Sequence, residues 1–268
     1  MQNKTSVFHE GEIAIHRELG IEDRMQQIGE RVIRTTMPEQ HQDFFALLPM
    51  IHLGALDSKG QPHAITRVGT PGFVFARDAQ TLVIEGQPLS SEPDDLDLSP
   101  GAKLSVVGIE FETRRRNRVN AIVAEHQNGT LSLTVDQSYG NCPKYIQARR
   151  VGRLMETKPQ RPVEFAEHLE SSHISIIEKS DTLLIASRSA DLSSERNSGV
   201  DINHRGGNPG FVKILNNNTL EFADYVGNNF FNTHGNLRID GRVGIQVLEF
   251  ESGDVLHLTG KAQLAQVK

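Results

Sequence analysis

Pro71-Gly72-Phe73-Val74 recurs 138 residues later as Pro209-Gly210-Phe211-Val212, and Glu110-Phe111-Glu112-Thr113 recurs 139 residues later as Glu249-Phe250-Glu251-Ser252. A common turn-plus-strand phrase accounts for one such match. Two anchors at nearly one offset point to a duplicated unit, and this constrains the fold more than any other feature. An arginine stands four residues before each proline, Arg67 after HAIT and Arg205 after DINH. Between the anchors, TLVIEG at 81–86 corresponds to TLEFAD at 219–224. The copies diverge at their ends. The first continues through RVNAIVA and TLSLTVD to Gln137-Ser138-Tyr139-Gly140-Asn141-Cys142-Pro143-Lys144-Tyr145, whereas the second passes LHLTGKAQL with no counterpart of TLSLTVD.

Short β-branched runs between turn signals predict strands at about 50–56, 62–68, 72–76, 81–85, 103–111, 118–124 and 130–136. The second copy predicts them at about 182–187, 200–205, 211–215, 219–223, 243–250 and 255–262. Ser58-Lys59-Gly60-Gln61 suits a hairpin turn, and 86–100 reads as a polar, acidic loop. Helices are expected over 21–36 and 38–48, the latter opened by Pro38 and Glu39. A helical connector is expected over 161–179, opened by Pro162 with Val163, Phe165, Ala166 and Leu169 on one side. The division is an N-terminal helical segment 1–48, a first β unit 49–150, a connector 151–180 and a second unit 181–268. Evenly spaced short strands favour barrels, which remove exposed sheet edges.

Composition narrows the function. The net charge of −6 argues against a general affinity for nucleic acid. The single cysteine, Cys142, excludes an internal disulfide framework and a cysteine-based zinc cluster, and is expected to be a small packed residue. The 11 histidines show no metal-ligand spacing, so no bound metal is expected. The N-terminal MQNKTSVFHEGE has no apolar signal-peptide core, and no apolar run approaches a membrane span, so a cytoplasmic location is expected.

The phrases VDINHRGGNPGFV, DYVGNNFFNTHGNL and QSYGNCPKYIQ, taken together, resemble those of the pyridoxamine 5′-phosphate oxidase-related FMN-binding proteins, over about residues 40–265. The resemblance implies a mainly β fold with flanking helices, the FMN-binding split β-barrel, here duplicated in tandem, and FMN as cofactor. It does not imply the oxidase reaction, because the oxidase signature contains tryptophan and this chain has none. Some relatives carry a ferredoxin-reductase-like module beyond the barrel.

FMN requires cations and hydrogen-bond donors at its phosphate and a flat slot for its ring. Arg205 enters the Gly206-Gly207 turn, which suits phosphate; a structural salt bridge is its bland alternative. His204 falls on the opposite strand face, toward the ring or a surface. Asn228, Asn229, Asn232, Thr233 and Asn236 form an amide and hydroxyl cluster around Phe230 and Phe231; the oxidase tends to have Ser and Lys in the comparable loop. The alternative is a loop of turn-forming asparagines. Gln137, Ser138, Tyr139 and Asn141 lie on a glycine-hinged turn expected to reach across the seam between units. Tyr139 would pack near the ring, and Lys144, opening a short helix, would add charge at the phosphate. Arg114, Arg116 and Arg118 share a strand face, a solvated stripe or, with Arg67, a dock for a nicotinamide phosphate or a second FMN.

The function expected is that of an FMN-dependent oxidoreductase using reduced nicotinamide or another electron donor. A non-catalytic flavin carrier or sensor is the alternative, and a haem or other cofactor binder on the same fold a third. One complete flavin site per chain is expected. The partners allowed are a small-molecule substrate or electron donor, a homodimer, and the reductase-like module if the chain belongs to a longer one.

Overall fold

The computed structural model describes residues 6–89, 92–151, 163–193 and 195–265. Three helices come first: α1 (Glu10–Glu18), α2 (Glu22–Val32) and α3 (Glu39–Ala46). The first β unit follows as β1 (Met50–Leu56), β2 (Pro62–Val68), β3 (Val74–Asp78), β4 (Thr81–Ile84), β5 (Gln87–Pro88), β6 (Lys103–Glu110), β7 (Arg115–Gln127) and β8 (Thr130–Asn141). Next come α4 (Ser171–Lys179), β9 (Thr182–Arg188), β10 (Val200–Gly206), β11 (Val212–Asn216), β12 (Thr219–Phe222), α5 (Asn232–Ile239), β13 (Arg242–Leu248) and β14 (Val255–Lys261). The fold is mainly β with flanking helices, built around a curled half-barrel sheet, as the split-barrel expectation requires.

The duplication is visible in the hydrogen bonding. The first sheet runs β3-β4-β8-β7-β6-β1-β2-β5, and the second runs β10-β9-β13-β14, which is the order β2-β1-β6-β7 over again. The registers coincide. Met50 pairs with Val68 as Thr182 pairs with Gly206. Ile51 pairs with Gly108 as Leu183 pairs with Val247, and Ile109 with Arg116 as Leu248 with Val255. Even the irregularity of the β3–β4 hairpin, between Ala76 and Asp78, recurs in β11–β12 between Ile214 and Asn216. α3 precedes β1 as α4 precedes β9. Among the described residues the second unit lacks a strand matching β8, and α5 replaces the β5 and acidic-loop segment.

Each unit has its own core. Phe44, Phe45 and Leu48 cover Ile51, Leu53, Ile65, Val106, Leu131 and Leu133 in the first. Ile177, from α4, covers Leu183, Ile185, Val243, Val247 and Leu256 in the second. The other faces of the two sheets meet in a seam formed by Met50, Ala64, Val107, Ile109, Leu184, Ala186, Ile202 and Leu248. The repeated anchors meet there: Phe111 and Phe250 stack edge to face, centroids 5.3 Å apart. Corresponding positions from both copies line the seam, as in a dimer related by a two-fold axis.

Three expectations need correction. Gln137, Ser138, Tyr139 and Asn141 extend strand β8 rather than forming a glycine-hinged turn. The connector helix begins at Ser171, capped by Glu170. Pro162 lies outside the described residues, and Val163 and Phe165 are exposed rather than packed. Lys144 sits in a turn, not at a helix start. Helix α1 was not expected, because the residues it buries include Gly11, Glu12 and His16, which show no apolar period. Its start is set by a reciprocal cap: the His9 ring accepts from the Gly11 amide, and the Glu12 carboxylate accepts from the His9 amide.

Helix α1 crosses α5 at two glycines. A Cβ on Gly235 would lie 2.6 Å from Glu12 Cγ, and one on Gly11 would lie 2.1 Å from the Gly235 carbonyl oxygen. Gly235→Ala should therefore cost about 1–3 kcal/mol of stability in thermal or denaturant unfolding. Gly227→Ala, where a Cβ meets open space, should change it by no more than about 0.5 kcal/mol.

Candidate functional site

The site candidates gather where β7 and β8 of the first unit pass the free edge of β10 of the second. Pairing across the sheet places Tyr139, Arg118, Val107, His52 and Thr66 in one row on the seam face. The facing row is His204, Leu184, Gln246 and His257. The rows touch where the Thr66 hydroxyl donates to Gln246 Oε1 at 2.5 Å. Thr66 accepts from His52 Nδ1 at 2.9 Å, so His52 carries its proton there and turns a bare Nε2 into the seam.

Arg118 closes the seam at the β10 edge and is 1% exposed. Its Nη1 donates to Asp201 Oδ1 at 2.6 Å, and its Nη2 donates to the Ile202 carbonyl and to Asn203 Oδ1. Asp201 also accepts from Asn120 at 3.1 Å and from Asn236 at 2.9 Å. Asn232 donates to Glu12 at 2.7 Å. Burial, reinforced by Asp201, raises the Glu12 carboxyl well above the usual carboxylate range. A small polar cavity of about 10 Å³ lies among His9, Glu12, Asn120, Gln137 and Asp201, room for about one water.

Beside Arg118 stand Arg116, His204 and Arg205. Arg116 donates to the Cys142 carbonyl at 2.5 Å, and burial with the neighbouring Arg118 and Arg205 lowers its pKa to about 9. His204 is buried with both ring nitrogens unpartnered, and burial, then Arg116, holds it well below the usual histidine range, hence neutral. Arg205 faces the other side of β10, where its Nε pairs with Asp224 at 2.7 Å; His234 pairs with the second oxygen at 3.2 Å. The Nε atoms of Arg116 and Arg118, the Asn203 amide nitrogen and Thr233 Oγ1 are also buried without a partner. Unpartnered buried donors among crowded like charges are costly for a protein on its own and suit an anion. Tyr145 and Tyr225 stand at the rim, centroids 4.9 Å apart, with the Tyr145 hydroxyl on the Val226 carbonyl.

The remaining predicted residues divide by strand face and by role. Gln137, Tyr139 and Asn141 face the seam. Ser138 lies one step out of phase and points the other way, its hydroxyl 3.1 Å from His41 Nδ1. Tyr139 is fully buried against Phe230, its hydroxyl unpartnered. Gln137 holds the N-terminal segment through the Val7 carbonyl. Asn228 caps its own turn by accepting from the Phe230 amide. Asn229 takes a left-handed conformation, φ 63°, and offers its carbonyl to His16. Lys144 is exposed and donates to the Val226 carbonyl at 3.4 Å. Glu12, Asp201 and Asn203 escaped the sequence reading. Asp201 and Asn203 lie in the same phrase as His204, and their alternation with Ile202 was the available signal.

The repeat supplies an internal control. Corresponding to Arg116, Arg118, Asn203 and His204 are Val255, His257, Ile65 and Thr66. Arg67, the counterpart of Arg205, is paired with Glu92 and the Gly86 carbonyl. The cationic cluster therefore exists at one of the two equivalent positions. A surface cleft of about 400 Å³ lies elsewhere, among Glu92, Asp94, Asp97 and His126. Among the described residues no group of three or more His, Cys, Asp or Glu side chains is placed to hold a metal, and no helix is long and apolar enough to cross a membrane.

No protein-family model matches the chain, and no curated protein does. Among solved structures, the chain is similar to tagged HupZ of Group A Streptococcus, at 12% identity over 43% of this chain and 100% of that one, TM-score 0.31. A histidine-to-alanine variant of the same protein matches at 11% identity over 39% of this chain and 98% of that one, TM-score 0.30. Likeness of this degree carries no functional weight.

Two outcomes test the site's construction. Arg118→Met should destabilise by about 3–5 kcal/mol, because Asp201 loses its cation. Adding Asp201→Leu should return part of that loss in a double-mutant cycle. His52 titrates at about 3, lowered by burial. A histidine depressed in the fold contributes stability above its unfolded pKa and loses it as the pH falls below about 6.5. Between pH 7.5 and pH 5 the wild type should lose about 2 kcal/mol more than His52→Leu in urea unfolding.

Proposed function

We propose that the cluster at the β10 edge binds the phosphate of FMN and that the protein is an FMN-dependent oxidoreductase. The observation that supports this most is the crowding of Arg116 by Arg118 and Arg205 beside a neutral His204, with buried donors left unpartnered. The phosphate end fits this donor set. The flavin identity rests on the resemblance of the three phrases, all of which contribute residues here.

In this reading the free donors of Arg116 and Asn203 hold phosphate oxygens, and His204 adds a ring N–H without a further charge. Arg205 turns from Asp224, or shares it, as the anion enters. Tyr145 and Tyr225 at the rim offer a flat apolar surface to the ring. Bound flavin supplies two-electron chemistry that no side chain here can perform. The chain's part is to bind, orient and exclude water. One FMN per chain is expected, because the equivalent position has Val255 and Thr66 where the site has Arg116 and His204.

A flavin carrier or sensor would use the same cradle. One observation favours it: the carboxylate beside the cradle, Asp224, is already held by both Arg205 and His234.

The test is titration with FMN, read by visible absorption and melting temperature, with riboflavin in parallel. FMN should saturate at one per chain and bind at least about tenfold more tightly than riboflavin. Arg116→Gln should weaken FMN by about 10–100-fold while leaving the free protein as stable or more so. No binding of FMN, or riboflavin binding as tightly, would overturn the reading. Failure of reduced nicotinamide to bleach the bound flavin would select the carrier.

A further inference from the structure

Two carboxyls face the small cavity beneath helix α1. Glu12 accepts from the His9 amide at 2.9 Å through Oε2 and from Asn232 of α5 at 2.7 Å through Oε1. Asp201 of β10 accepts from Arg118 of β7 through one oxygen and from Asn236 of α5 through the other. Among the described residues the cation at this cavity is Arg118. Lys103, beside Gly199, is paired with Asp136 at 2.6 Å, and Glu10 lies on the exposed side of α1. From β8 come Gln137 and the buried phenol of Tyr139, both uncharged. His9 supplies no second cation. Its Nδ1 accepts from the Gly11 amide and is therefore bare, which leaves a neutral ring with its proton on Nε2, 3.7 Å from Glu12 Oε2. Two carboxyls against one guanidinium leave one negative charge uncompensated, and burial makes that costly unless a proton neutralises it. Asp201 has Arg118. Glu12, whose partners are an amide and a carboxamide, is the group that keeps the proton.

Helix α1 also holds a strained loop. Asn229 and Phe231 have φ of 63° and 61°, left-handed values that are unfavourable for residues with side chains, above all a phenylalanine. His16 Nε2 bonds the Asn229 carbonyl at 2.7 Å, and its ring packs on Phe231 with centroids 5.8 Å apart. Phe8, just before the helix, meets Phe230 edge to face. The loop follows Asp224, which holds Arg205, and Val226, whose carbonyl receives the Tyr145 hydroxyl.

We propose that helix α1 is a strap held shut by one proton on Glu12: while the proton stays, α1 clamps α5 and keeps loop 228–231 in its strained form, and loss of the proton at higher pH releases helix and loop together. Protonated, Glu12 accepts the His9 amide with its carbonyl oxygen and donates its O–H to Asn232, whose carboxamide turns over to present its oxygen. Ionised, it is a second buried negative charge beside Asp201, and moving α1 into water relieves it. A carboxyl raised in the fold by burial stabilises the docked state fully below its ordinary value of 4.5. That contribution fades as the pH rises from there through the folded value. This inference does not rest on the flavin reading, since the proton, the helix and the loop all belong to the chain itself.

The test is amide hydrogen exchange from about pH 5 to about pH 9, comparing the wild type with Glu12→Gln. Glutamine accepts the His9 amide and donates to the turned Asn232, and it cannot ionise. His9 and His16, both lowered by burial, loosen α1 in the opposite direction as the pH falls. They do so in both proteins, so the ratio at each pH isolates Glu12. The opening constants of residues 12–18 and 229–236 should rise together in the wild type, by about tenfold per pH unit relative to Glu12→Gln until Glu12 is ionised. The amides of β6 and β7 should stay more protected throughout. A ratio that does not change with pH would overturn the proposal. So would exchange of α1 only in step with β6 and β7, which would mean global unfolding and no separate strap. Should Glu12→Gln not fold, the carboxyl carbon resonance of Glu12 in the wild type reads the proton directly. Its titration midpoint should lie well above 4.5, and a midpoint at or below 4.5 would overturn the proposal.

Discussion

The guanidinium of Arg118 is the contact on which the two halves of this molecule depend. It leaves the first sheet and ends on the backbone and side chains of β10 in the second, with Asp201 as its counter-charge. Asp201 in turn holds Asn236 of α5, and Asn232 of the same helix holds Glu12 of α1. One buried cation therefore organises the sheet junction, the inserted helix and the N-terminal helix. Such a pair adds little net stability over an apolar equivalent, yet breaking one partner is costly. Its value here is register: it admits one arrangement of β7 against the β10 edge.

Around that contact the duplication has kept its hydrogen-bond pattern and lost its chemical symmetry. Apolar seam positions correspond across the pseudo-two-fold, with Ala64 and Ile202, Ile109 and Leu248, and Phe111 and Phe250 each entering from both sides. Polar positions do not. His257 stands where the other copy has Arg118, and the cluster of Arg116 and His204 is answered by Val255 and Thr66. Burying apolar area requires only similar volumes, so both copies can supply it. A charged site needs each donor in place, and losing one member leaves the others as unpaired buried charges. The polar cluster is accordingly present at one of the two equivalent positions.

The strand plan was legible. Alternation and turn residues located nearly every strand within a few residues, because a half-buried sheet imposes a period of two on any sequence that forms it. Pro38 marked α3, and the repeat predicted a common topology. Helix α1 was not legible, because Gly11, Glu12 and His16 face inward for reasons of close approach and hydrogen bonding, not hydrophobicity. The start of α4 was misplaced because the apolar residues Val163 and Phe165 suggested a buried face that the fold leaves in solvent.

The sequence by itself determined the duplication, the positions of most strands along each copy and the arginines and histidine available for a site, because these are set by local pattern and by identity. Tertiary structure decided which of them meet. Ser138 and Tyr139 are neighbours in sequence and face opposite cores. Arg118 and Asp201 are 83 residues apart and share a hydrogen bond of 2.6 Å. No local period encodes that meeting, since it depends on how two sheets with matching apolar faces are laid against each other and on which strand edge is left free.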